Sequence, residues 1–118
     1  MATTVLLVDD HAGFRRAARA MLEREGYEVV GEVASAASVV GATEVLRPDL
    51  VILDIRLPDG DGIDMIPALR RLDPTPEVLL VSTLTADEIG QRLRHLSGVR
   101  FLAKADLSPA ALREVLSP

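Results

Sequence analysis

The 118-residue sequence predicts an α/β fold, in which a doubly wound parallel sheet is covered by helices on both faces. Three observations support this prediction. Short runs rich in Val, Leu and Ile alternate with segments of helical periodicity from one end of the chain to the other. Most of these runs are continuously apolar, which is typical of parallel strands buried on both faces. Gly and Pro clusters bound the runs, as expected at strand ends.

The first two strand–helix units occupy the N-terminal part of the chain. Val5–Val8 is the first predicted strand, and an amphipathic helix follows it. That helix is predicted to end at Gly26, because glycine is common just past a helix C-terminus. The second strand is predicted over Tyr27–Val33, and its mixed pattern indicates a position near the edge of the sheet. Ser35 is predicted to cap a second helix that runs through Leu46.

The third unit begins with a strand at Leu50–Leu53, and the fourth with a strand at Val78–Val81. Between them, a loop of turn-forming residues at Leu57–Gly62 leads into the third helix. The apolar positions of that helix recur at helical spacing; they are Ile63, Ile66, Leu69 and Leu72.

The last two helices carry N-terminal signals. Thr85–Glu88 matches the capping-box pattern, so a fourth helix is predicted from there to about Leu96. The fifth strand is predicted at Arg100–Ala103. Ser108–Pro109 then supplies a capping hydroxyl and a first-turn proline for a fifth helix that reaches Leu116.

Five such units predict one particular strand order. Right-handed crossovers leave few topologies, of which the flavodoxin-like (βα)5 order 2-1-3-4-5 is predicted. The first and third strands are then neighbours. We therefore expect Asp9, Asp10 and Asp54 to converge in one crevice at the carboxyl ends of these strands.

Composition narrows the classes of function. The length fits a single domain over residues 1–118, with no second domain expected. A net charge of −5 argues against direct binding of nucleic acid. No cysteine is present, which suits a cytoplasmic protein and excludes thiol catalysis. We expect no signal peptide and no membrane span, because no apolar stretch approaches the ~18 residues that a span needs.

Four of the predicted strands end at residues suited to phosphate chemistry. These are Asp9 with Asp10, then Asp54, Ser82 and Lys104, which is the only lysine in the chain. Carboxylates in one crevice repel each other and favour a bound cation, and all-oxygen ligands favour Mg²⁺ or Mn²⁺. An aspartate there can act as a nucleophile, while a hydroxyl and an ammonium group stabilise the transferred phosphoryl group.

Short motifs spread over nearly the whole chain carry a family resemblance. They are Val5–His11 with Phe14–Arg15, Pro48–Ile55, Leu57–Pro58, Asp61–Gly62, Ser82 and Phe101–Ala105. In this combination the chain resembles response-regulator receiver domains, which are CheY-like, and it is most similar to the NarL/FixJ (LuxR-type) subfamily.

The resemblance implies a metal-dependent phosphoacceptor. Asp54 resembles the residue that accepts the phosphoryl group. Asp10 resembles the direct metal ligand, and Asp9 the acid that acts largely through water. Asp54 and the backbone carbonyl of Arg56 complete the protein's share of the metal shell. The implied cofactor is Mg²⁺, or Mn²⁺ in its place.

The resemblance also implies a conformational switch. Ser82 occupies the hydroxyl position, Lys104 the position of the family's lysine, and Phe101 that of its switch aromatic. In this interpretation Ser82 moves toward the phosphoryl group and Phe101 turns into the space that it leaves. The surface of helix four, strand five and helix five changes as a result.

As a receiver, the chain would take its phosphoryl group from a sensor histidine kinase in a two-component system. It would be a phosphoacceptor that assists its own phosphorylation and dephosphorylation, and not an enzyme in the ordinary sense. The implied output is transcription through a DNA-binding domain absent from this chain, with homodimerisation on phosphorylation. No membrane contact is implied.

Three alternatives are weighed against this interpretation. A phosphatase of the haloacid-dehalogenase type would need an acid at position 56, where the chain has Arg56. A nucleotide- or flavin-binding module would need a Gly-rich loop after the first strand, where Asp9–His11 stands instead. A stand-alone receiver that acts by protein–protein contact is the third. His11 is interpreted as a loop residue, and Arg15 as part of a solvated helix face.

Overall fold

A computed structural model describes residues 2–116, so Met1, Ser117 and Pro118 of the predicted domain lie outside the described residues. Its centre is a five-stranded parallel sheet in the order β2-β1-β3-β4-β5, which confirms the predicted topology. The strands are β1 (Thr4–Val8), β2 (Glu28–Val33), β3 (Leu50–Asp54), β4 (Glu77–Ser82) and β5 (Arg100–Ala103). Parallel neighbours put all the carboxyl ends at one edge of the sheet.

Five α-helices cover this sheet. They are α1 (Ala12–Arg24), α2 (Val39–Leu46), α3 (Ile66–Arg70), α4 (Ala86–Leu93) and α5 (Pro109–Leu116). Three short 3-10 turns precede α2, α3 and α5; they are Ala36–Ser38, Gly62–Met65 and Lys104–Asp106. A small antiparallel hairpin, Arg56–Leu57 with Gly60–Asp61, follows β3. None of the helices within residues 2–116 has the length and apolar character needed to cross a bilayer.

The sheet is buried on both faces, because its apolar side chains alternate between two clusters. In β3, Val51 and Leu53 belong to the cluster beneath α2, α3 and α4, whereas Leu50 and Ile52 belong to the cluster beneath α1 and α5. All four are at most 3% exposed. Burying a leucine such as Leu53 contributes roughly 1.5–3 kcal/mol, so the central strands provide a rigid base for the residues that follow them.

The start of α2 differs from the prediction. The Ser35 side chain makes no capping hydrogen bond, so the prediction that it caps this helix was wrong. Its Oγ instead lies 2.9 Å from Oγ of Ser38. The carboxylate of Asp59 accepts hydrogen bonds from the backbone N–H groups of Ala36 and Ala37, at 2.7 and 3.0 Å. An acid distant in the sequence therefore satisfies the free N–H donors at the start of the 3-10 turn, and the loop after β3 is connected to the segment that leads into α2.

The end of α4 also differs. The prediction extended this helix to about Leu96, but the helix ends at Leu93. There the chain turns, and the backbone N–H of Leu96 donates to the carbonyl of Leu93. Leu93, Leu96 and Val99, before and after this turn, pack against the same core cluster. The start was predicted correctly, since Thr85 and Glu88 form a complete capping box.

Candidate functional site

Three carboxylates meet at the carboxyl ends of β1 and β3. The two strands are paired with Val8 opposite Leu53, so Asp9 and Asp54 follow on neighbouring strands at the same level. Single ligand atoms of four residues all lie within 4.8 Å of one another; the residues are Asp9, Asp10, His11 and Asp54. Asp9 and Asp54 are buried, at 1% and 3% exposure, whereas Asp10 and His11 are exposed. The crevice thus has two buried acids on its floor and an exposed acid and imidazole at its mouth.

Lys104 brings a positive charge into this crevice. It follows β5, and its Nζ lies 2.5 Å from Oδ2 of Asp9 and 3.1 Å from Oδ2 of Asp54. Its side chain is only 10% exposed. Little water screens a pair in such a position, so the contacts are stronger than surface ion pairs. One ammonium group therefore compensates two buried carboxylates.

Burial raises the pKa of the Asp54 carboxyl above its usual value of 3.8. The charge of Lys104 and its hydrogen bond act in the opposite direction, and the nearby charge of Asp9 adds to the increase. Nζ of Lys104 donates to Oδ2, and the backbone N–H of Arg56 donates to Oδ1 at 3.3 Å. Ionising Asp54 in the folded protein therefore costs free energy, and a bound cation would reduce this cost.

Asp9 is held more firmly than Asp54. Its Oδ1 accepts a hydrogen bond from the backbone N–H of His11 at 2.8 Å. A guanidinium nitrogen of Arg15 donates to its backbone carbonyl at 2.5 Å, and Nε of Arg15 binds Glu32. The buried Oδ2 accepts no hydrogen bond of good geometry from the described residues, since its contact with Lys104 is an ion pair without the right angles.

The residues present fit a hard divalent cation. Three carboxylates from two strand ends converge, and a buried oxygen among them lacks a hydrogen-bond donor. Such oxygen donors are the ligands that Mg²⁺ and Mn²⁺ take in proteins. Nδ1 of His11 lies 3.1 Å from Oδ1 of Asp9 and 3.2 Å from Oδ1 of Asp10, so an imidazole borders the same position.

Ser82 lies between the acid and the lysine in the sheet. Asp54 pairs with Val81, the residue before Ser82, and Ser82 pairs with Ala103, the residue before Lys104. Ser82 is fully buried, and its Oγ accepts a hydrogen bond from the backbone N–H of Leu84 at 3.1 Å. The strand register thus places the Ser82 hydroxyl at the end of β4, between the strand that carries Asp54 and the strand that precedes Lys104.

The loop after Asp54 depends on Gly62. A Cβ atom at this position would lie 2.2 Å from the backbone oxygen of Asp54 and 3.1 Å from its carbonyl carbon. The backbone N–H of Gly62 donates to the carbonyl of Ile55 at 2.7 Å. The chain can therefore return close beneath Asp54 only because residue 62 has no side chain.

Phe101 lies on β5, where it pairs with Leu80. It is partly buried and packs against the cluster beneath α2, α3 and α4. Phe14 lies on the other side of the sheet, against the cluster beneath α1 and α5. The ring of Phe14 contacts the ammonium group of Lys104, with Nζ 4.6 Å from the ring centroid.

The structure brings Asp9, Asp10, Asp54 and Lys104 together, as the strand ends indicated. It adds three residues that the family motifs include but to which no role in the site was assigned from the sequence; these are His11, Phe14 and Arg15. Phe14 and Arg15 lie in the first turn of a helix that starts beside the site, and this is the signal that could have identified them. His11 lies in the loop between β1 and α1, as predicted, and its imidazole there contacts the carboxylates of Asp9 and Asp10.

Comparison with known proteins identifies the family of this chain. Residues 5–117 match the family described as the response regulator receiver domain. The chain belongs to this family. Its members in two-component systems are phosphorylated on an aspartate and bind Mg²⁺ in an acidic pocket. Receivers are phosphoacceptors and not enzymes in the ordinary sense.

Similar proteins differ in their overall length. The chain is 44% identical over 97 residues to a protein-glutamate methylesterase/protein-glutamine glutaminase of Alkalilimnicola ehrlichii, covering 81% of this chain and 25% of that protein. It is 32% identical over 104 residues to chemotaxis protein CheY of Thermotoga maritima, covering 88% and 82%. The chain spans about half of the length of other curated relatives.

Solved structures give the same result. A LuxR-family two-component response regulator from Aurantimonas superposes with a TM-score of 0.83 at 27% identity, covering 97% of this chain and 81% of that one. This likeness agrees with a receiver of the NarL/FixJ type.

Proposed function

We propose that Asp54 is the residue of this receiver that accepts a phosphoryl group from a sensor histidine kinase. An Asp54 carboxylate oxygen attacks the phosphorus of the kinase phosphohistidine, the P–N bond breaks, and the released imidazole takes up a proton. The observation that carries the proposal is the 3.1 Å contact between Oδ2 of Asp54 and Nζ of Lys104 in a buried acidic crevice. A cation in this position offsets negative charge where the phosphoryl group would bind.

Asp54 is favoured over the other two acids by its surroundings. Asp9 is occupied by the His11 N–H and by the ion pair with Lys104, and its side chain is 2% exposed. Asp10 is exposed and lies at the mouth of the crevice. Oδ1 of Asp54 accepts only one long hydrogen bond, at 3.3 Å from the Arg56 N–H. Among the carboxylate oxygens of the two buried acids, Oδ1 of Asp54 therefore has the weakest contacts and is the most available nucleophile.

Mg²⁺, or Mn²⁺ in its place, would be held by Asp9, Asp10 and Asp54 with the backbone carbonyl of Arg56. A bound divalent ion supplies charge neutralisation between the carboxylates and an incoming phosphoryl group. Around it, Asp9 is kept in position by Arg15 through its backbone carbonyl. The receiver would thereby assist its own phosphorylation and dephosphorylation, with Lys104 and Ser82 as the contributing side chains.

Ser82 and Phe101 are proposed to carry the switch. The Ser82 hydroxyl, which now accepts from the Leu84 N–H, would turn to donate to a phosphoryl oxygen. Phe101 packs only partly into the core beside α4, so it can move further inward when Ser82 does. The surface formed by α4, β5 and α5 would then change its affinity for a partner.

The surface formed by α4, β5 and α5 would pass the signal to the next protein or domain. We favour homodimerisation on phosphorylation and control of transcription through a DNA-binding domain, with protein–protein contact by a stand-alone receiver as the alternative. The proposal includes a cytoplasmic location, which rests on the kinase partner and on the cysteine-free sequence. The proposal also treats residues 1–118 as one receiver domain.

The experiment that tests this proposal is phosphorylation with acetyl phosphate and Mg²⁺. The unmodified protein and the Asp64→Asn variant should be labelled equally, since Asp64 is an exposed aspartate on the 3-10 turn that precedes α3. The Asp54→Asn variant should not be labelled. Undiminished labelling of Asp54→Asn would overturn the proposal, and so would an unlabelled parent protein.

A further inference from the structure

The ammonium group of Lys104 has a third neighbour besides its two acids. Its Nζ lies 4.6 Å from the centroid of the Phe14 ring. A cation over an aromatic face at this distance is attracted by the ring quadrupole, and the attraction is greater where water is excluded. The Lys104 side chain is 10% exposed, so this contact is largely shielded from solvent.

The Phe14 ring can restrict the motion of Lys104 because the ring is itself packed against the core. Phe14 lies in the first turn of α1 and packs against the core cluster that includes Ala18, Leu22 and Leu112. Lys104 has a long side chain whose ordering costs conformational entropy. A ring fixed against the core reduces the number of orientations in which the ammonium keeps all its contacts.

The contact with Phe14 differs in kind from the contacts with Asp9 and Asp54. A carboxylate that gains a phosphoryl group, or that binds a metal ion, changes its charge and its hydrogen bonds. The face of a phenyl ring has no proton or formal charge to exchange, so it attracts the ammonium in the same way before and after such a change.

We propose that Phe14 is a positioning residue for Lys104, whose ring face keeps the ammonium group beside Asp54. The consequence for phosphoryl transfer rests on the proposed function. The positioning itself can be measured without any phosphorylation, so the two claims can fail separately.

The first experiment measures the mobility of the lysine. Because Lys104 is the only lysine, ¹³C labelling of lysine gives one set of side-chain signals. In the unmodified protein, the Cε protons should show a ring-current shift to high field and a nuclear Overhauser effect to the Phe14 ring. Phe14→Leu should remove both and increase the amplitude of Cε motion, whereas Phe14→Tyr should preserve them.

The control is the other phenylalanine. Phe101 packs against the opposite core cluster, so Phe101→Leu should leave the Lys104 signals and their relaxation in the metal-free protein unchanged. Unaltered Cε motion in Phe14→Leu would overturn the proposal. An equal loss of order in Phe101→Leu would do the same, because it would indicate general loosening of the fold.

The second experiment links the ring to the reaction. Phenylalanine carrying one, two or three fluorine atoms, incorporated at position 14, keeps nearly the same shape while its face becomes a weaker partner for a cation. The rate of phosphorylation by acetyl phosphate should fall with each fluorine, by roughly two- to five-fold at trifluorophenylalanine. A rate independent of fluorine number would overturn the role of Phe14. An unlabelled parent protein would reject the proposed function, while the relaxation measurements would still decide whether Phe14 positions Lys104.

Discussion

Lys104 donates a hydrogen bond to Asp54 across 50 positions of sequence, with Nζ 3.1 Å from Oδ2. The two residues stand at the ends of β5 and β3, with β4 between them. Only a long side chain can reach across β4 from β5 to β3, and the Lys104 side chain contacts Asp9 as well. The charge balance of the crevice therefore depends on one residue.

Removing the charge of Lys104 should destabilise the protein. Lys104→Met leaves two buried carboxylates uncompensated, so we expect a loss of about 3 kcal/mol in the free energy of unfolding at neutral pH in EDTA. Urea denaturation measures it. The double variant Lys104→Met/Asp54→Asn should recover much of the loss, because one of the two charges is then gone. Equal stability of Lys104→Met and the parent would show that the pair has no such role.

Asp54→Asn should be more stable than the parent at neutral pH without metal. The folded protein raises the pKa of this carboxyl above 3.8, chiefly by burial, so the folded state binds its proton more tightly than the unfolded state. The favourable contribution of the group is complete below pH 3.8 and is lost as pH rises through the folded-state pKa. The advantage of the asparagine variant should therefore grow with rising pH in that window. Stability curves from pH 3 to 8 measure it, and a gain that shrinks as pH rises would contradict the sign.

Gly62 should not tolerate a side chain. In Gly62→Ala the new Cβ would meet the backbone oxygen of Asp54, which cannot rotate away, and we expect a loss of about 2 kcal/mol or more. Gly41→Ala is the matched control. Gly41 lies within α2, and apart from its chain neighbours and the nearby backbone of the helix no atom lies within 4 Å of the added Cβ, so this change should stabilise the protein by up to about 1 kcal/mol. Thermal unfolding of both variants provides the comparison, and equal effects would refute the close approach at Gly62.

The cap of the 3-10 turn that leads into α2 gives a second matched pair. Asp59→Ala removes the acceptor for the N–H groups of Ala36 and Ala37, so it should lower the free energy of unfolding. Ser35→Ala should be nearly neutral, because the Ser35 side chain makes no capping bond. The free energy of unfolding of both variants decides which residue acts as the cap. A larger loss for Ser35→Ala would restore the prediction made from the sequence.

The strands and the convergence of the acids could be predicted because they depend on local patterns and on one topological rule. A continuous apolar run defines β1, β3 and β4, and parallel pairing then brings the residue at the end of each strand to a common edge. The family motifs added roles for Ser82 and Phe101, which geometry alone would not assign.

Contacts between distant residues could not be predicted in the same way. Asp59, 23 positions from Ala36, caps the 3-10 turn that leads into α2, whereas the local pattern predicted Ser35 as the cap. The ring of Phe14 meets Lys104 only because α1 and β5 are brought together by the fold. His11 has an ordinary loop pattern, and its position among the acids follows from the turn after β1.

The most direct test of the account is the location of the phosphoryl group. After treatment with acetyl phosphate and Mg²⁺, borohydride reduction converts an acyl-phosphorylated aspartate to homoserine, which peptide mass spectrometry can locate. We predict homoserine at position 54 and unmodified aspartate at positions 9 and 10. Homoserine at position 9 or 10, with Asp54 unmodified, would contradict the assignment of Asp54 as the acceptor.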